Sequence, residues 1–153
     1  SILTNLCYCF PIKPWHKNLS KALVKNPKYY LWDWTLCSEE GAKVENFVAC
    51  HLLKAVHYWT NDGFGEYGLY FIRDLNQKGV DFLIVKDGEP WCLIEVKKSH
   101  HKTLSPSLKY YYELMKPKYG FQVVFDLPYV DEDCFKKKGL RTVPLKTFLS
   151  QLI

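Results

Sequence analysis

Asp81, Glu95 and Lys97 could do chemistry together, because the chain between them reads as a single short hairpin. The stretch runs Val80-Asp81-Phe82-Leu83-Ile84-Val85, then Lys86-Asp87-Gly88-Glu89-Pro90, then Trp91-Cys92-Leu93-Ile94-Glu95-Val96-Lys97. Two apolar, β-branched-rich runs separated by Asp-Gly and Pro are a hairpin signal. A turn centred on Gly88 sets Asp81 opposite Glu95, where Cβ atoms lie about 4.5–5.5 Å apart and like charges repel. Side chains alternate along a strand, so Asp81 shares a face with Leu83 and Val85, and Glu95 shares one with Leu93 and Lys97. Two carboxylates and an ammonium thus converge in a partly apolar setting, which is costly unless a cation uses it. Carboxylates of this kind hold Mg²⁺ or Mn²⁺, which polarises a phosphate and acidifies a bound water. A neighbouring Lys orients that water or stabilises the growing negative charge. The carbonyl of Val96 offers a further hard oxygen ligand. The competing reading is a structural ion pair in which Lys97 or Arg73 neutralises one carboxylate.

The elements that must position these groups follow from periodicity. Leu6 to Ile12 and Lys28 to Trp34 read as aromatic strands, with a basic helix or loop over Asn18 to Asn26 between them. Ser38 reads as an N-cap with Glu39 and Glu40 in the first turn. The helix then runs to about Tyr58, with Val44, Phe47, Val48, His51, Leu52, Ala55, Val56 and Trp59 along its buried stripe. Glu45 aligns with Ala49, Leu52 and Val56 at the edge of that stripe. Strands are expected over Leu69 to Arg73, Val80 to Val85, Trp91 to Lys97 and Phe121 to Phe125. A Tyr-rich helix is expected over Leu104 to Met115, a short strand over Arg141 to Val143 and a terminal helix over Leu145 to Ile153. The central order of helix, three strands, helix and strand predicts an α/β sandwich with a mixed sheet.

Composition narrows the function classes. One domain accommodates 153 residues, and 21 basic against 16 acidic residues give +5, which suits an anionic partner without requiring one. No run of about 18 apolar residues suits a membrane span, and without a charged n-region leading into an apolar h-region no signal peptide is expected. The chain opens on Ser1-Ile2-Leu3 without an initiator Met, as a piece of a larger protein would. Six scattered cysteines without a C-x-x-C pair read as thiols of a reducing cytosol, with Cys7 and Cys9 on one strand face. No G-x-x-x-x-G-K-[ST] occurs, so a P-loop is excluded within the chain. Lys98, His100, His101 and Lys102 form a basic loop suited to phosphate contact. Lys136-Lys137-Lys138 with Arg141 reads as a solvated run, and Tyr110 to Tyr112 as a largely core helix face.

Glu45 in a helix, Asp81 on a strand and Glu95-Val96-Lys97 on the next resemble the PD-(D/E)XK nuclease superfamily. More of the chain resembles one branch. Lys28-Tyr29-Tyr30-Leu31-Trp32-Asp33, Gly41 to Ala49, Tyr70-Phe71-Ile72-Arg73-Asp74 and Val80 to Ile84 are similar, in that order, to the C-terminal domain of unknown function of bacterial and archaeal AAA-type ATPases. The resemblance implies a restriction-endonuclease-like α/β core with a mixed central sheet flanked by helices. It divides the single domain into N-terminal strands (1–34), a catalytic-type core (38–125) and a C-terminal extension (126–153). It implies Glu45, Asp81, Glu95 and Val96 as ligands of Mg²⁺ or Mn²⁺ and Asp81, Glu95 and Lys97 as the catalytic set. The implied partners are nucleic acid and an upstream ATPase domain, the source of any ATP binding, in a prokaryotic cytoplasm. The family is usually acidic just before Val80, where this chain has Gly79. A module that keeps the fold without turnover, binding DNA, a protein or its own ATPase domain, is the alternative.

Overall fold

A strand pair, a long helix and five further strands build one seven-stranded sheet with helices against both faces. The computed structural model describes residues 2–17, 25–99 and 103–153. The elements are α1 (Ile2–Asn5), β1 (Cys9–Pro14), β2 (Lys28–Leu31), α2 (Glu40–Asn61), β3 (Tyr67–Arg73), β4 (Gly79–Lys86), β5 (Glu89–Lys97), α3 (Pro106–Met115), β6 (Tyr119–Val124), β7 (Gly139–Pro144) and α4 (Leu145–Leu149), with a 3₁₀ turn at Trp34–Leu36. The sheet order is β2-β1-β3-β4-β5-β6-β7. β1 pairs parallel to β3 and antiparallel to β2, β3 to β5 form an antiparallel meander, and β6 and β7 add in parallel. The expected mixed α/β sheet is present, and both chain ends contribute strands to it.

The long helix starts one residue later than its sequence suggests. Glu39, not Ser38, is the N-cap, and its carboxylate accepts the N–H groups of Gly41 and Ala42. α2 buries Val48, Ala49, Leu52 and Ala55 completely against Phe71, Phe82 and Ile94 of the sheet. Each large apolar side chain buried this way contributes about 1.5–3 kcal/mol. The opposite face packs Leu83 and Leu93 against Leu108 and Tyr111 of α3, whose N-cap is Ser105. Tyr110 is exposed and Tyr111 buried, so the tyrosine run is only partly core. Strand β1 begins at Cys9, which is buried. Cys7 lies before it at φ 55° and exposed, so the two do not share a strand face. The Asn18 to Asn26 segment lies mostly outside the described residues. No helix among those described is long and apolar enough to cross a membrane.

Candidate functional site

The hairpin that opposes Asp81 and Glu95 is irregular in two places, and both irregularities matter. Its turn is the two-residue Asp87-Gly88, both at positive φ (52° and 81°), so Lys86 pairs with Glu89 and Val85 with Pro90. This is a primed turn centred between residues 87 and 88, not on Gly88. Continued regularly, it would set Asp81 against Ile94. Beyond Pro90, however, Ile84 pairs with Cys92, leaving Trp91 as an extra residue, and the register continues to Phe82 opposite Ile94. Extended one residue past Phe82 and Ile94, the register set by that β-bulge places Asp81 against Glu95.

The second bulge lies on β4 itself. Tyr70 pairs with Leu83 and Ile72 with Val80, so Phe71 of β3 faces two residues, Asp81 and Phe82. Val80 packs on the α3 side of the sheet and Phe82 on the α2 side, although they are two residues apart. Asp81 therefore does not alternate regularly with Leu83 and Val85, which corrects the simple strand reading. Bulges of this kind re-aim a side chain. Here the Asp81 carboxylate reaches across to β5, where its Oδ2 accepts the Val96 N–H at 2.9 Å. A strand residue's N–H and C=O point to the same neighbour, so the Val96 carbonyl is directed toward β4 as well.

Around Asp81 the other charges close in. Lys97 Nζ donates to Glu95 Oε1 at 2.8 Å, as same-face neighbours two residues apart should. Glu95 is buried, and its Oε2 has no hydrogen-bond partner among the described residues. Glu45 is a half-buried boundary residue, as its position on the helix suggests, and β2 supplies its donors. Its Oε1 accepts from Tyr30 Oη at 2.6 Å and from Lys28 Nζ at 3.1 Å. Sequence reading missed Lys28 and Tyr30; their signal is the alternation of a Lys and a Tyr on one face of an aromatic strand.

The charges of Glu45 and Glu95 act on Asp81. The Asp81 carboxyl is pushed up to about 7, first by burial and then by Glu95 and Glu45, against the pull of the Val96 N–H and Lys28. The Tyr30 phenol is raised well above its ordinary value by burial and by Glu45. Burial pulls Lys97 down, yet its hydrogen bond to Glu95 and the fields of all three carboxylates leave it raised. Among the described residues no group of three or more His, Cys, Asp or Glu stands close enough to hold a metal ion as a ready cage. Glu45, Asp81 and Glu95 are neighbours in charge, with separate donors on each.

The remaining expected contacts are dispersed. Lys98 pairs with Glu40 in the first turn of α2. His100, His101 and Lys102 lie outside the described residues. Lys136 to Lys138 are exposed, as a solvated run should be. Gly79 is a point of closest approach: a Cβ there would lie 1.9 Å from the Ile72 carbonyl oxygen and 2.8 Å from the Arg73 Cα. No acidic side chain fits at that position.

No curated protein and no solved structure matches the chain. The family described as a domain of unknown function, DUF4143, matches residues 40–148, which include Glu45, Asp81, Glu95 and Lys97 but not β1, β2, Lys28 or Tyr30. With well over half of its length matched, the chain belongs to the DUF4143 family.

Proposed function

We propose that this is a PD-(D/E)XK-like domain that hydrolyses phosphodiester bonds in nucleic acid with Mg²⁺ or Mn²⁺, as the C-terminal part of an AAA-type ATPase. The observation that carries the reading is the reach of the Asp81 carboxylate from β4 to the Val96 N–H of β5, between Glu95 and Lys97, with Lys97 bound to Glu95. The donor set suits a hard cation: two carboxylates, a directed backbone carbonyl at Val96 and a third carboxylate on Glu45. The buried, unpartnered Glu95 Oε2 supports it further, since an oxygen left bare in a protein interior costs about 1–3 kcal/mol. A divalent ion here would polarise the phosphate and lower the pKa of an attacking water. Asp81, Glu95 and the Val96 carbonyl would hold it, with Glu45 completing the set. Lys97, partly exposed beside Glu95, would orient the water and offset charge on the phosphate.

The test is nicking of supercoiled and branched DNA with Mg²⁺ or Mn²⁺, comparing the parent chain with Glu95→Ala and Lys97→Ala. Loss of nicking in both variants is expected. Equal activity in all three removes the assignment.

One observation favours the alternative, a nuclease-fold module without turnover that binds DNA, a protein or its own ATPase domain. Each of the three carboxylates already has a donor, and no ready cage of three exists among the described residues. That reading expects no Mn²⁺ binding by calorimetry; a site abolished by Asp81→Ala counts against it.

A further inference from the structure

The strand pair that lies outside the family match delivers a cation to the centre of the site. Lys28 stands at the start of β2 with its side chain only 18% exposed, and its Nζ meets Glu45 Oε1 at 3.1 Å. The same ammonium lies 5.3 Å from the centre of the Phe71 ring. Phe71 is the β3 residue that faces the Asp81-Phe82 bulge, and the Lys28 charge, bound to Glu45, also acts on the Asp81 carboxyl. Tyr30, the next same-face residue of β2, donates to the same Glu45 oxygen. Two donors from one strand therefore fix one oxygen of Glu45. Glu45, Asp81 and Glu95 are faced by two ammonium groups, Lys28 and Lys97.

We propose that Lys28 is a resident cation that a divalent metal ion must displace from Glu45, so that the β1–β2 strand pair sets the metal affinity of the site. The inference rests on the metal-site reading above and adds a determinant that lies outside it. Charge balance carries the argument. With all three carboxylates ionised and both ammoniums in place, a divalent ion leaves the cluster one charge positive. With Lys28 withdrawn, the same ion leaves it neutral. Desolvated charge left unbalanced is expensive, so occupancy by the metal and by Lys28 oppose each other. Tyr30, which carries no charge, stays on Glu45 in either state and holds the carboxylate in place.

The experiment is a calorimetric titration of Mn²⁺ into the full chain, into Lys28→Met, Lys28→Gln and Lys28→Arg, and into Asp81→Ala. The neutral Lys28 variants should bind about tenfold more tightly, the equivalent of one charge-assisted hydrogen bond. Lys28→Arg should keep the parent affinity, and Asp81→Ala should lose binding. Unchanged or weaker affinity in both neutral variants, with binding still lost in Asp81→Ala, overturns the displacement while leaving the metal site standing. Absence of binding in the parent and in both neutral variants overturns displacement and metal site together. A measurement on the unmodified chain guards against variants that fail to fold: Mg²⁺ saturation should shift the Lys28 ammonium NMR signals. Signals that hold their metal-free positions overturn the proposal.

Discussion

Asn46 takes both backbone hydrogen bonds of Leu31: its Nδ2 donates to the Leu31 carbonyl at 2.7 Å and its Oδ1 accepts the Leu31 N–H at 2.9 Å. Leu31 ends β2, so a single helix side chain terminates the strand by imitating the next one. Asn46 follows Glu45, and this clasp is what holds Lys28 and Tyr30 within reach of the Glu45 carboxylate.

Asn46→Ala leaves the Leu31 N–H without its partner and the Leu31 carbonyl with only the Cys50 thiol at 3.4 Å. The expected cost is about 1–3 kcal/mol, one unsatisfied group. Urea unfolding measures it, and a loss below about 0.5 kcal/mol would show that β2 is held by its aromatic contacts alone.

Gly79→Asp introduces an acid just before Val80, and it should be strongly destabilising rather than activating. The new Cβ would meet the backbone of Ile72 and Arg73, which no rotamer relieves. At least about 3 kcal/mol is expected, the upper range of overpacking. A Gly79→Asp chain that melts at the parent temperature would refute the close approach.

Asp81 gives the folded chain a pH dependence whose sign is fixed. Its carboxyl lies above its ordinary value, so the folded state keeps a proton that the unfolded state has released. Stability of the metal-free protein therefore falls as pH rises from about 4 to about 7, then levels. Asp81→Asn should flatten that fall. Parallel urea midpoints for parent and variant across this range, in chelator, would contradict the burial and crowding described for Asp81.

Trp91 is both the extra residue of the β5 bulge and a hub of rings, within 5.8 Å of Trp59, Tyr67, Tyr119 and Phe135. Trp91→Ala should cost about 3 kcal/mol. Deletion of Trp91 is a different change: it removes the bulge and leaves Val85 opposite Pro90, Ile84 opposite Cys92 and Phe82 opposite Ile94 in a regular ladder. Both variants lose the same ring contacts, so their melting temperatures should be similar; a much lower midpoint for the deletion would mean that the bulge itself is needed to seat β5.

The order of the central elements was legible because helices and strands announce themselves by period. Glu45 at the edge of its helix stripe and the Glu95–Lys97 pair follow from the same arithmetic. The bulges at Trp91 and Asp81 were not, because each is settled by which neighbour the strand must match. The opposition of Asp81 and Glu95 was reached from a turn centre half a residue off, which the Trp91 bulge compensates. Lys28 and Tyr30 were read only as part of an aromatic strand, since their place at Glu45 depends on β1 crossing to lie beside β3. Such pairing across 57 positions, Lys13 beside Tyr70, leaves no local periodic trace. The cap at Glu39 was missed by one position because a Glu can fold its own carboxylate onto the first N–H groups, as Ser would.

The close approach at Gly79 also limits what the position can ever offer the site. Since main chain of Ile72 and Arg73 fills the space, any side chain there needs a loosening of that end of β3 first. Whatever the site does now, it is committed to doing it without a carboxylate at position 79.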